Sequence, residues 1–350
     1  GGVKCISARC SCIGNNIDLL FNYCSAIMAL TLGLFIIGFF LLIKGADIFV
    51  EGASSIAKRY NISNLVIGLT VVAFGSSAPE LIISVLASIQ ETADIALGNI
   101  IGSNIANTLL ILGVVSLIVP LTVKKDTVLK EIPFSLLAVV AVGLLANDVF
   151  IEGAASSVIS RIDGMILLLF FAIFLYYSFN KTKKKGTVLE KVGKDKIKIY
   201  GKLATSFMLI GGVAGIFLGG KWIVDGAVEM GVFLGVFQAF VGLTIAAVGT
   251  ALPELATSLA GAKKGHADMA IGNVVGSNIF NFLWIVGLSS VIHPINYSFK
   301  LNADIFYLFF TSIVLLVLIY NGRKHILERK EGAVLLFLYA SYLVFLIYRG

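Results

Sequence analysis

The chain of 350 residues is 58% hydrophobic and only 13% charged, with a formal net charge of +7. A soluble domain carries about 25% charged residues, so this composition excludes a soluble globular protein and predicts an all-α polytopic membrane protein. The positive charge lies in short loops between apolar stretches, where it orients a membrane protein. It therefore does not indicate binding to nucleic acid.

Ten stretches are predicted to span the membrane, since a helix crosses the hydrocarbon core in about 20 residues. They cover residues 28–57, 62–89, 94–119, 129–147, 162–179, 203–227, 234–261, 267–292, 302–320 and 332–348. Residues 1–27 hold all four cysteines and lack a continuous apolar core, so we treat them as an extension of unknown role. The cysteine spacing fits no zinc pattern.

Every second loop is basic, beginning with Lys58 and Arg59 after the first span. The other basic loops follow the third, fifth, seventh and ninth spans, and the longest of them, residues 180–202, is rich in lysine. Basic loops face the cytoplasm in membrane proteins. We therefore expect an integral protein of a prokaryotic plasma membrane, with both termini extracellular and residues 180–202 as a cytoplasmic linker.

Two motifs recur 174 positions apart in the chain. Residues 68–80 (GLTVVAFGSSAPE) return as 242–254 (GLTIAAVGTALPE), and residues 98–107 (GNIIGSNIAN) return as 272–281 (GNVVGSNIFN). Each half contains five predicted spans, an odd number, so the second copy enters the membrane from the opposite side. The sequence predicts two inverted-topology five-helix repeats, residues 28–179 and 203–350, that share one site at the membrane midplane.

Each repeat places a glutamate directly after a proline within an apolar span. Pro79 and its copy Pro253 lack the amide hydrogen that a helix interior needs, so each helix is predicted to break there. A charged residue at the centre of the bilayer costs roughly 3 kcal/mol on insertion scales. We interpret Glu80 and Glu254 as two acidic ligands that face one another. The alternative is a protonated carboxyl group hydrogen-bonded between helices.

Further oxygen ligands are expected beside both glutamates. Ser103 and Asn107 share one helix face, as do Ser277 and Asn281, although close helix packing also explains small polar residues. The breaks are expected to free main-chain oxygens one turn earlier. The predicted set is Glu80, Glu254, Asn107, Asn281, Ser76, Ser77, Thr250, Ser103, Ser277 and the main-chain oxygens of Ala73 and Ala247. Such oxygens suit Ca²⁺ and Na⁺, and the absence of Cys and His from the motifs argues against zinc and copper.

The first and sixth spans are rich in glycine, which either lets them slide across the rest of the protein or only packs them tightly.

Lys44, Asp47 and Glu51 in the first span are spaced to pair with one another on one helix face.

The motifs around Glu80 and Glu254, with residues 102–107 (GSNIAN) and 276–281 (GSNIFN), resemble the α1 and α2 repeats of the sodium/calcium exchanger family, prokaryotic type, in the Ca²⁺/cation antiporter superfamily. The resemblance covers about residues 28–350. It implies ten helices, with spans 2, 3, 7 and 8 around the ions and spans 1 and 6 as a sliding gate. It also implies that one Ca²⁺ or several Na⁺ ions occupy the predicted ligand set in turn.

Two residues depart from the family pattern. Ala251 stands where many prokaryotic members have Ser, which removes one hydroxyl from the second repeat. Asn281 stands where several relatives, including potassium-dependent exchangers, have Asp, which weakens any case for K⁺ co-transport. The proline before each glutamate fits the sodium-coupled branch better than the proton-coupled branch, which carries Gly-Asn-x-x-Glu.

The predicted function is secondary active antiport of Na⁺ against Ca²⁺, with no enzyme activity and no cofactor. The alternative within transporters is H⁺/Ca²⁺ antiport, in which the glutamates carry protons. An intramembrane hydrolase with Glu80 and Glu254 as acid and base would lack a nucleophile–His pair and a metal–His motif, and a channel is a third alternative. The expected partners are inorganic cations and the lipid bilayer, and the protein is expected to function as a monomer.

Overall fold

The computed structural model describes residues 17–60, 62–89, 93–123, 127–151, 153–184, 198–233, 251–321 and 325–349. Most of the linker 180–202 and the first part of the predicted seventh span, residues 234–250, lie outside this part of the chain. So do the first three cysteines, Cys5, Cys10 and Cys12.

The described secondary structure is almost entirely helical. In chain order the helices are α1 (Ile17–Arg59), α2 (Asn64–Ser76), α3 (Ala78–Ile89), α4 (Ala93–Ala106, continued by Leu112–Ile118), α5 (Ile132–Leu145), α6 (Asp148–Ile151), α7 (Arg161–Lys184), α8 (Lys202–Phe233), α9 (Leu252–Lys263), α10 (Ala267–Ile279, continued by Gly287–Ile292), α11 (Asn302–Asn321) and α12 (Arg329–Arg349). Wider π-helical turns occupy Gly68–Val72 in α2, Asn107–Ile111 in α4, Thr127–Glu131 before α5 and Phe280–Val286 in α10, and a 3₁₀ turn, Phe299–Leu301, precedes α11.

Seven of the described helices are long and apolar enough to cross a membrane, and α2 with α3 forms an eighth, bent candidate. These eight coincide with all the predicted spans except the fourth and the seventh. The fourth is a helical segment over 127–145 that is not among the eight, and the seventh is described only from Ala251 onward. Helix α1 begins at Ile17, well before the predicted start at residue 28, because residues 17–27 contain no proline or glycine to stop it.

Two short antiparallel strand pairs join distant parts of the chain. β1 (Leu121–Thr122), which follows α4, pairs with β4 (Ile326–Leu327), which precedes α12. β3 (Ile295–Asn296), which follows α10, pairs with β2 (Val158–Ile159), which precedes α7. Strands β1 and β3 lie 174 positions apart, so the two pairings are equivalent under the sequence repeat.

Glycines let helices of the two halves cross closely, again in two equivalent places. A methyl group added to Gly332 of α12 would lie 2.9 Å from the main-chain oxygen of Gly113 in α4. One added to Gly164 of α7 would lie 2.7 Å from the main-chain oxygen of Gly287 in α10. Gly113 and Gly287 are also 174 positions apart. The last helix of each half therefore packs against the other half.

Helices α1 and α8 form a pair at one side of the bundle. A methyl group added to Gly45 of α1 would lie 2.9 Å from the main-chain oxygen of Gly212 in α8, so the two backbones are nearly in contact. The end of α1 is bound to the segment before α8, where the Ser55 hydroxyl accepts a 3.0 Å hydrogen bond from the Tyr200 amide.

The acidic residues of α1 have a partner on another helix, and the predicted pairing with Lys44 is wrong. Lys264 Nζ, at the end of α9, lies 2.8 Å from Glu51 Oε1 and 3.7 Å from Asp47 Oδ1. It also donates a 2.9 Å hydrogen bond to the main-chain oxygen of Asp47. An ion pair between helices therefore ties α1 to the second half of the chain.

Polar residues gather in the middle of the fold, between α2, α3, α4, α9 and α10. Hydroxyl, amide and carboxyl side chains there are almost completely buried, whereas large apolar side chains such as Met165, Phe306 and Phe337 are exposed on the outer helices α7, α11 and α12. This inside-out distribution is typical of a protein that faces lipid on its surface.

Candidate cation site

The helix of the first repeat breaks at the proline motif. Helix α2 ends at Ser76, Ser77 forms a turn (φ −86°, ψ 9°), and α3 begins at Ala78 with a bend of 51° between the two helices. Pro79 lies in the first turn of α3, where a missing amide hydrogen is tolerated. Glu80 lies in the same turn, where the helix dipole stabilises a negative charge.

The second repeat begins its helix in the same way. Ala251 precedes α9 with nearly the backbone conformation of Ser77 (φ −86°, ψ −5°), and Pro253 and Glu254 follow in the first turn. The chain before this turn lies outside the described residues, and with it Ala247 and Thr250. The ligand roles of these two residues therefore stay predictions.

The two glutamates come together although they belong to different halves. Each is 1% exposed. Ser77 of the first repeat donates a 3.0 Å hydrogen bond to Glu254 Oε1 of the second, and its hydroxyl lies 3.0 Å from Ser277 Oγ. The two carboxyl groups are also close enough to interact electrostatically. They therefore share one buried space.

Five buried oxygen atoms of the two glutamates and of α4 and α10, which pack against α3 and α9, have no hydrogen-bond partner in the described structure. They are Glu80 Oε2, Glu254 Oε2, Ser103 Oγ, Asn107 Oδ1 and Asn281 Oδ1. A buried polar atom without a partner costs about 1–3 kcal/mol, so native proteins contain few of them. All five belong to the repeated motifs and all can bind a cation. We therefore regard this cluster as a candidate cation site.

One of these oxygens reflects the departure at Ala251. Ser77 hydrogen-bonds Glu254 and contacts Ser277, whereas Ala251, which stands at the equivalent position, has no hydroxyl to offer to Glu80 and Ser103. Ser103 Oγ is among the unpartnered atoms, whereas its equivalent Ser277 Oγ is not. The candidate site is therefore asymmetric, with the more open side at Ser103.

The break does not free the main-chain oxygen of Ala73 from hydrogen bonding, contrary to expectation. A carbonyl oxygen has a second lone pair, so the role of Ala73 as a ligand stays a prediction. That oxygen accepts a 2.9 Å hydrogen bond from the Ser77 amide, and the Ser76 hydroxyl lies 3.3 Å away. The reason is that Pro79 removes the amide that would serve Gly75, four residues earlier, and not Ala73. Ser76 Oγ also lies 3.0 Å from Asn273 Oδ1 of the second repeat.

Asn273 was missed by the sequence reasoning, and the structure makes it the centre of a polar network. Its Nδ2 lies 2.9 Å from Thr257 Oγ1, 2.9 Å from Ser258 Oγ and 3.3 Å from the main-chain oxygen of Glu254. These bonds hold the start of α9 against α10. The signal was present in the repeat, because Asn99 occupies the equivalent position of the first motif.

Asn104 and Asn278 were also not among the predicted ligands, although each lies one helical turn before Asn107 or Asn281. Each contacts the asparagine ligand of the other repeat. Asn107 Nδ2 lies 3.1 Å from Asn278 Oδ1, and Asn281 Nδ2 lies 2.8 Å from Asn104 Oδ1. Asn107 and Asn281 both lie in π-helical turns, which are frequent at functional sites.

The candidate site uses oxygens of several kinds. Within the described ranges no group of three or more His, Cys, Asp and Glu side chains is arranged to hold a metal. The candidate site combines amide and hydroxyl oxygens with two carboxyl groups, a donor set that suits hard cations.

Comparisons with known proteins agree over most of the chain. Residues 30–180 and 205–348 match the family described as "Sodium/calcium exchanger protein". Sodium/calcium exchanger MaX1 of Methanosarcina acetivorans is 33% identical, over 89% of this chain and 97% of its own length. Inner membrane protein YrbG of Escherichia coli is 37% identical, over 76% of this chain and 81% of its own length.

Solved structures give the same result. The sodium-calcium exchanger NCX_Mj, soaked with 10 mM Na⁺ and 10 mM Sr²⁺, is 33% identical and superposes with a TM-score of 0.75, covering 91% of this chain and 98% of the other. This likeness in sequence and structure, together with the family match, shows that the chain belongs to the sodium/calcium exchanger family.

Proposed function

We propose that this chain is a secondary active antiporter that exchanges Na⁺ for Ca²⁺ across the membrane by alternating access. The observation that carries the proposal is the set of five unpartnered buried oxygens in the repeated motifs, which includes one from Glu80 and one from Glu254. Ca²⁺ takes about six to eight oxygen ligands, and the neighbouring hydroxyls raise the number on offer toward that range. The relative MaX1 is named a sodium/calcium exchanger, and NCX_Mj structures were soaked with Na⁺, Ca²⁺ or Sr²⁺, which supports these cargo ions.

The proposed ligands come from both repeats. They are Ala73, Ser76, Ser77, Glu80, Ser103 and Asn107 from the first repeat, and Ala247, Thr250, Glu254, Ser277 and Asn281 from the second. The glutamates supply the negative charge, and the remaining residues supply neutral oxygens.

Charge links the movements of the two ions. Two ionised glutamates give the empty site a charge of about −2, and an uncompensated charge is penalised heavily in an apolar environment. One Ca²⁺ or several Na⁺ ions offset this charge. The two kinds of ion therefore compete for one site. The gate helices can slide past the site only when an ion occupies it. This requirement enforces exchange and prevents a leak of ions.

We place the site at the midplane of ten helices arranged as two inverted repeats, residues 28–179 and 203–350. The paired strands β1–β4 and β2–β3 and the equivalent glycine crossings support this symmetry. In this arrangement both termini are extracellular, residues 180–202 form a cytoplasmic linker, and residues 1–27 are an extension. The protein works as a monomer in a prokaryotic plasma membrane.

Helices α1 and α8 form the moving part in this proposal. Their backbones meet at Gly45 and Gly212, and a methyl group added to Gly219 of α8 would lie 2.6 Å from the main-chain oxygen of Gly38. The two helices therefore pack tightly against each other, so they can move as one unit. The ion pair of Lys264 with Glu51 must break if α1 slides past α9.

Transport by vesicles that contain the purified protein tests the coupling ion. Ca²⁺ uptake is measured under an outward Na⁺ gradient, under a pH gradient alone and with neither, and protein-free vesicles serve as control. We expect uptake to follow the Na⁺ gradient. Uptake driven by pH and indifferent to Na⁺ would identify H⁺/Ca²⁺ antiport, and uptake that needs no counter-ion gradient would identify a channel.

A further inference from the structure

The two asparagine ligands present an ambiguity that the neighbouring residues resolve. An amide side chain can turn either its oxygen or its nitrogen toward a site, and only the oxygen can bind a cation. Asn107 Oδ1 and Asn281 Oδ1 are buried and unpartnered, whereas their Nδ2 atoms are hydrogen-bonded to Asn278 and Asn104. The orientation of both ligands therefore depends on the orientation of those two neighbours.

The orientation of Asn104 is fixed by a main-chain carbonyl. Its Nδ2 lies 3.4 Å from the main-chain oxygen of Asn278, which can only accept a hydrogen bond. Asn104 must therefore turn Nδ2 to that carbonyl and Oδ1 to Asn281. Asn281 must in turn donate with Nδ2, and its Oδ1 is left for the site.

The orientation of Asn278 is fixed by a hydroxyl. Thr108 Oγ1 donates a 2.9 Å hydrogen bond to the main-chain oxygen of Asn104 and so uses its single hydrogen. It can then only accept from Asn278 Nδ2, which lies 2.9 Å away. Asn278 Oδ1 therefore faces Asn107, which must donate with Nδ2 and leave its own Oδ1 for the site.

The two chains of hydrogen bonds are equivalent under the repeat and end on equivalent groups, the main-chain oxygens of Asn104 and Asn278. They differ in one step. The chain of hydrogen bonds that begins at Asn107 passes through the Thr108 hydroxyl, whereas the position equivalent to Thr108 in the second repeat is Phe282, which has no hydroxyl. Asn104, Asn278 and Thr108 are each at most 6% exposed, so water does not compete for these bonds.

We propose that Asn104, Asn278 and Thr108 are positioning residues that lock the amide oxygens of Asn281 and Asn107 toward the cation. This inference rests on the proposed exchange site. It explains how two neutral asparagines act as reliable ligands, since without the lock each amide would have to be turned by the ion at a cost in affinity.

Thr108 offers the cleanest test, because its side chain can lose the hydroxyl without losing volume. The dissociation constant of Ca²⁺ is measured by titration calorimetry on the purified full chain in Na⁺-free detergent solution. Thr108→Val should weaken Ca²⁺ binding about fivefold, the size expected of one buried hydrogen bond. Thr108→Ser keeps the hydroxyl and should bind like the parent. If the valine variant does not fold, Thr108→Ala, which removes the same hydroxyl, is measured in its place.

The matched control is Thr311→Val. The Thr311 side chain is fully buried in α11 and, among the described residues, bonds only its own helix, through the main-chain oxygen of Leu308. This substitution makes the same chemical change away from the site and should leave the Ca²⁺ dissociation constant unchanged.

Combining Thr108→Val with a second substitution distinguishes loss of amide orientation from a general loss of structure. In Asn107→Asp both ligand atoms are oxygens, so no orientation remains to be locked. The new carboxylate at position 107 would attract Nδ2 of Asn278 and so favour the flipped orientation of the Asn278 amide. Loss of the Thr108 hydroxyl permits this flip, because Nδ2 of Asn278 then no longer has a hydrogen-bond partner at Thr108. Thr108→Val should therefore leave Ca²⁺ affinity unchanged or raise it in the Asn107→Asp background, whereas a merely structural role would lower it equally in both.

Different outcomes test the positioning role and the exchange site itself. Equal losses in both backgrounds, or no loss in either, would overturn the positioning role while Glu80→Gln still abolishes Ca²⁺ binding. Normal Ca²⁺ binding by Glu80→Gln would overturn the exchange site itself.

Discussion

Ser77 and Glu254 lie in opposite halves of the chain and are joined by a 3.0 Å hydrogen bond in the interior. This bond links the break of one repeat to the acidic residue of the other. The reverse link is absent at Ala251, which stands at the position equivalent to Ser77 and has no hydroxyl. The two glutamates are therefore not equivalent, although their motifs are.

Ala251→Ser should make the site more symmetric and tighten Ca²⁺ binding. The new hydroxyl would face Glu80 and Ser103, whose oxygens lack partners in the described structure. One added hydrogen bond or ligand of about 1 kcal/mol corresponds to about fivefold in the Ca²⁺ dissociation constant, measured by calorimetry. Ala260→Ser, in the helix that follows Ala251, is the control for adding a buried hydroxyl. Equal effects of the two substitutions would contradict the asymmetry.

Lys264→Met should loosen the attachment of α1 to the second half of the chain. The ammonium group binds Glu51 and the main chain at Asp47, and the partners are partly exposed, so the loss is at most about 1 kcal/mol. Hydrogen–deuterium exchange of peptides covering residues 46–59 should become roughly two- to fivefold faster. Lys263→Met, at an exposed neighbouring position, should leave the exchange unchanged. Identical exchange in the two variants would show that the ion pair does not hold α1.

His266 should make thermal stability fall in mild acid. It lies just before α10, 3.3 Å from Asn64 Nδ2, and burial together with the charge of Lys264 lowers its pKa below the ordinary value of 6.5. The unfolded chain therefore binds a proton more readily than the folded chain. The stabilisation is complete above pH 6.5 and is lost as the pH falls from there through the lower folded-state pKa. Melting temperatures between neutral and mildly acidic pH should fall less in His266→Gln. The same dependence of melting temperature on pH in both proteins would exclude a contribution from His266.

Gly332→Ala and Gly164→Ala should both destabilise the fold. In each case the added methyl group meets a main-chain oxygen at less than van der Waals distance, 2.9 Å at Gly113 and 2.7 Å at Gly287. Overpacking of this kind costs about 1–3 kcal/mol. Melting in detergent should show similar losses, since the two crossings are equivalent. Gly211→Ala, which meets nothing within 4 Å, is the control and should be neutral or slightly stabilising. Loss in only one of the two variants would contradict that equivalence.

Much of this molecule follows from its sequence, because apolar length and repetition dominate it. The break at Pro79 and the convergence of Glu80 with Glu254 follow from a proline without an amide hydrogen and from the repeated motif. The partner of Glu51 could not be predicted, because Lys264 reaches it only after α1 has packed on α9. The pairing of Asn104 with Asn281 depends on how α4 and α10 cross, which helix periodicity does not determine.

The most direct test of the central claim is Ca²⁺ binding and Na⁺-driven Ca²⁺ uptake by Glu80→Gln and Glu254→Gln. Glu331→Gln, at the start of α12 and outside the site, is the matched control. We expect each site variant to insert and fold yet lose both activities, because one remaining carboxylate cannot offset a divalent cation in an apolar interior. Near-normal binding and uptake by either variant would contradict a cation site shared by the two glutamates.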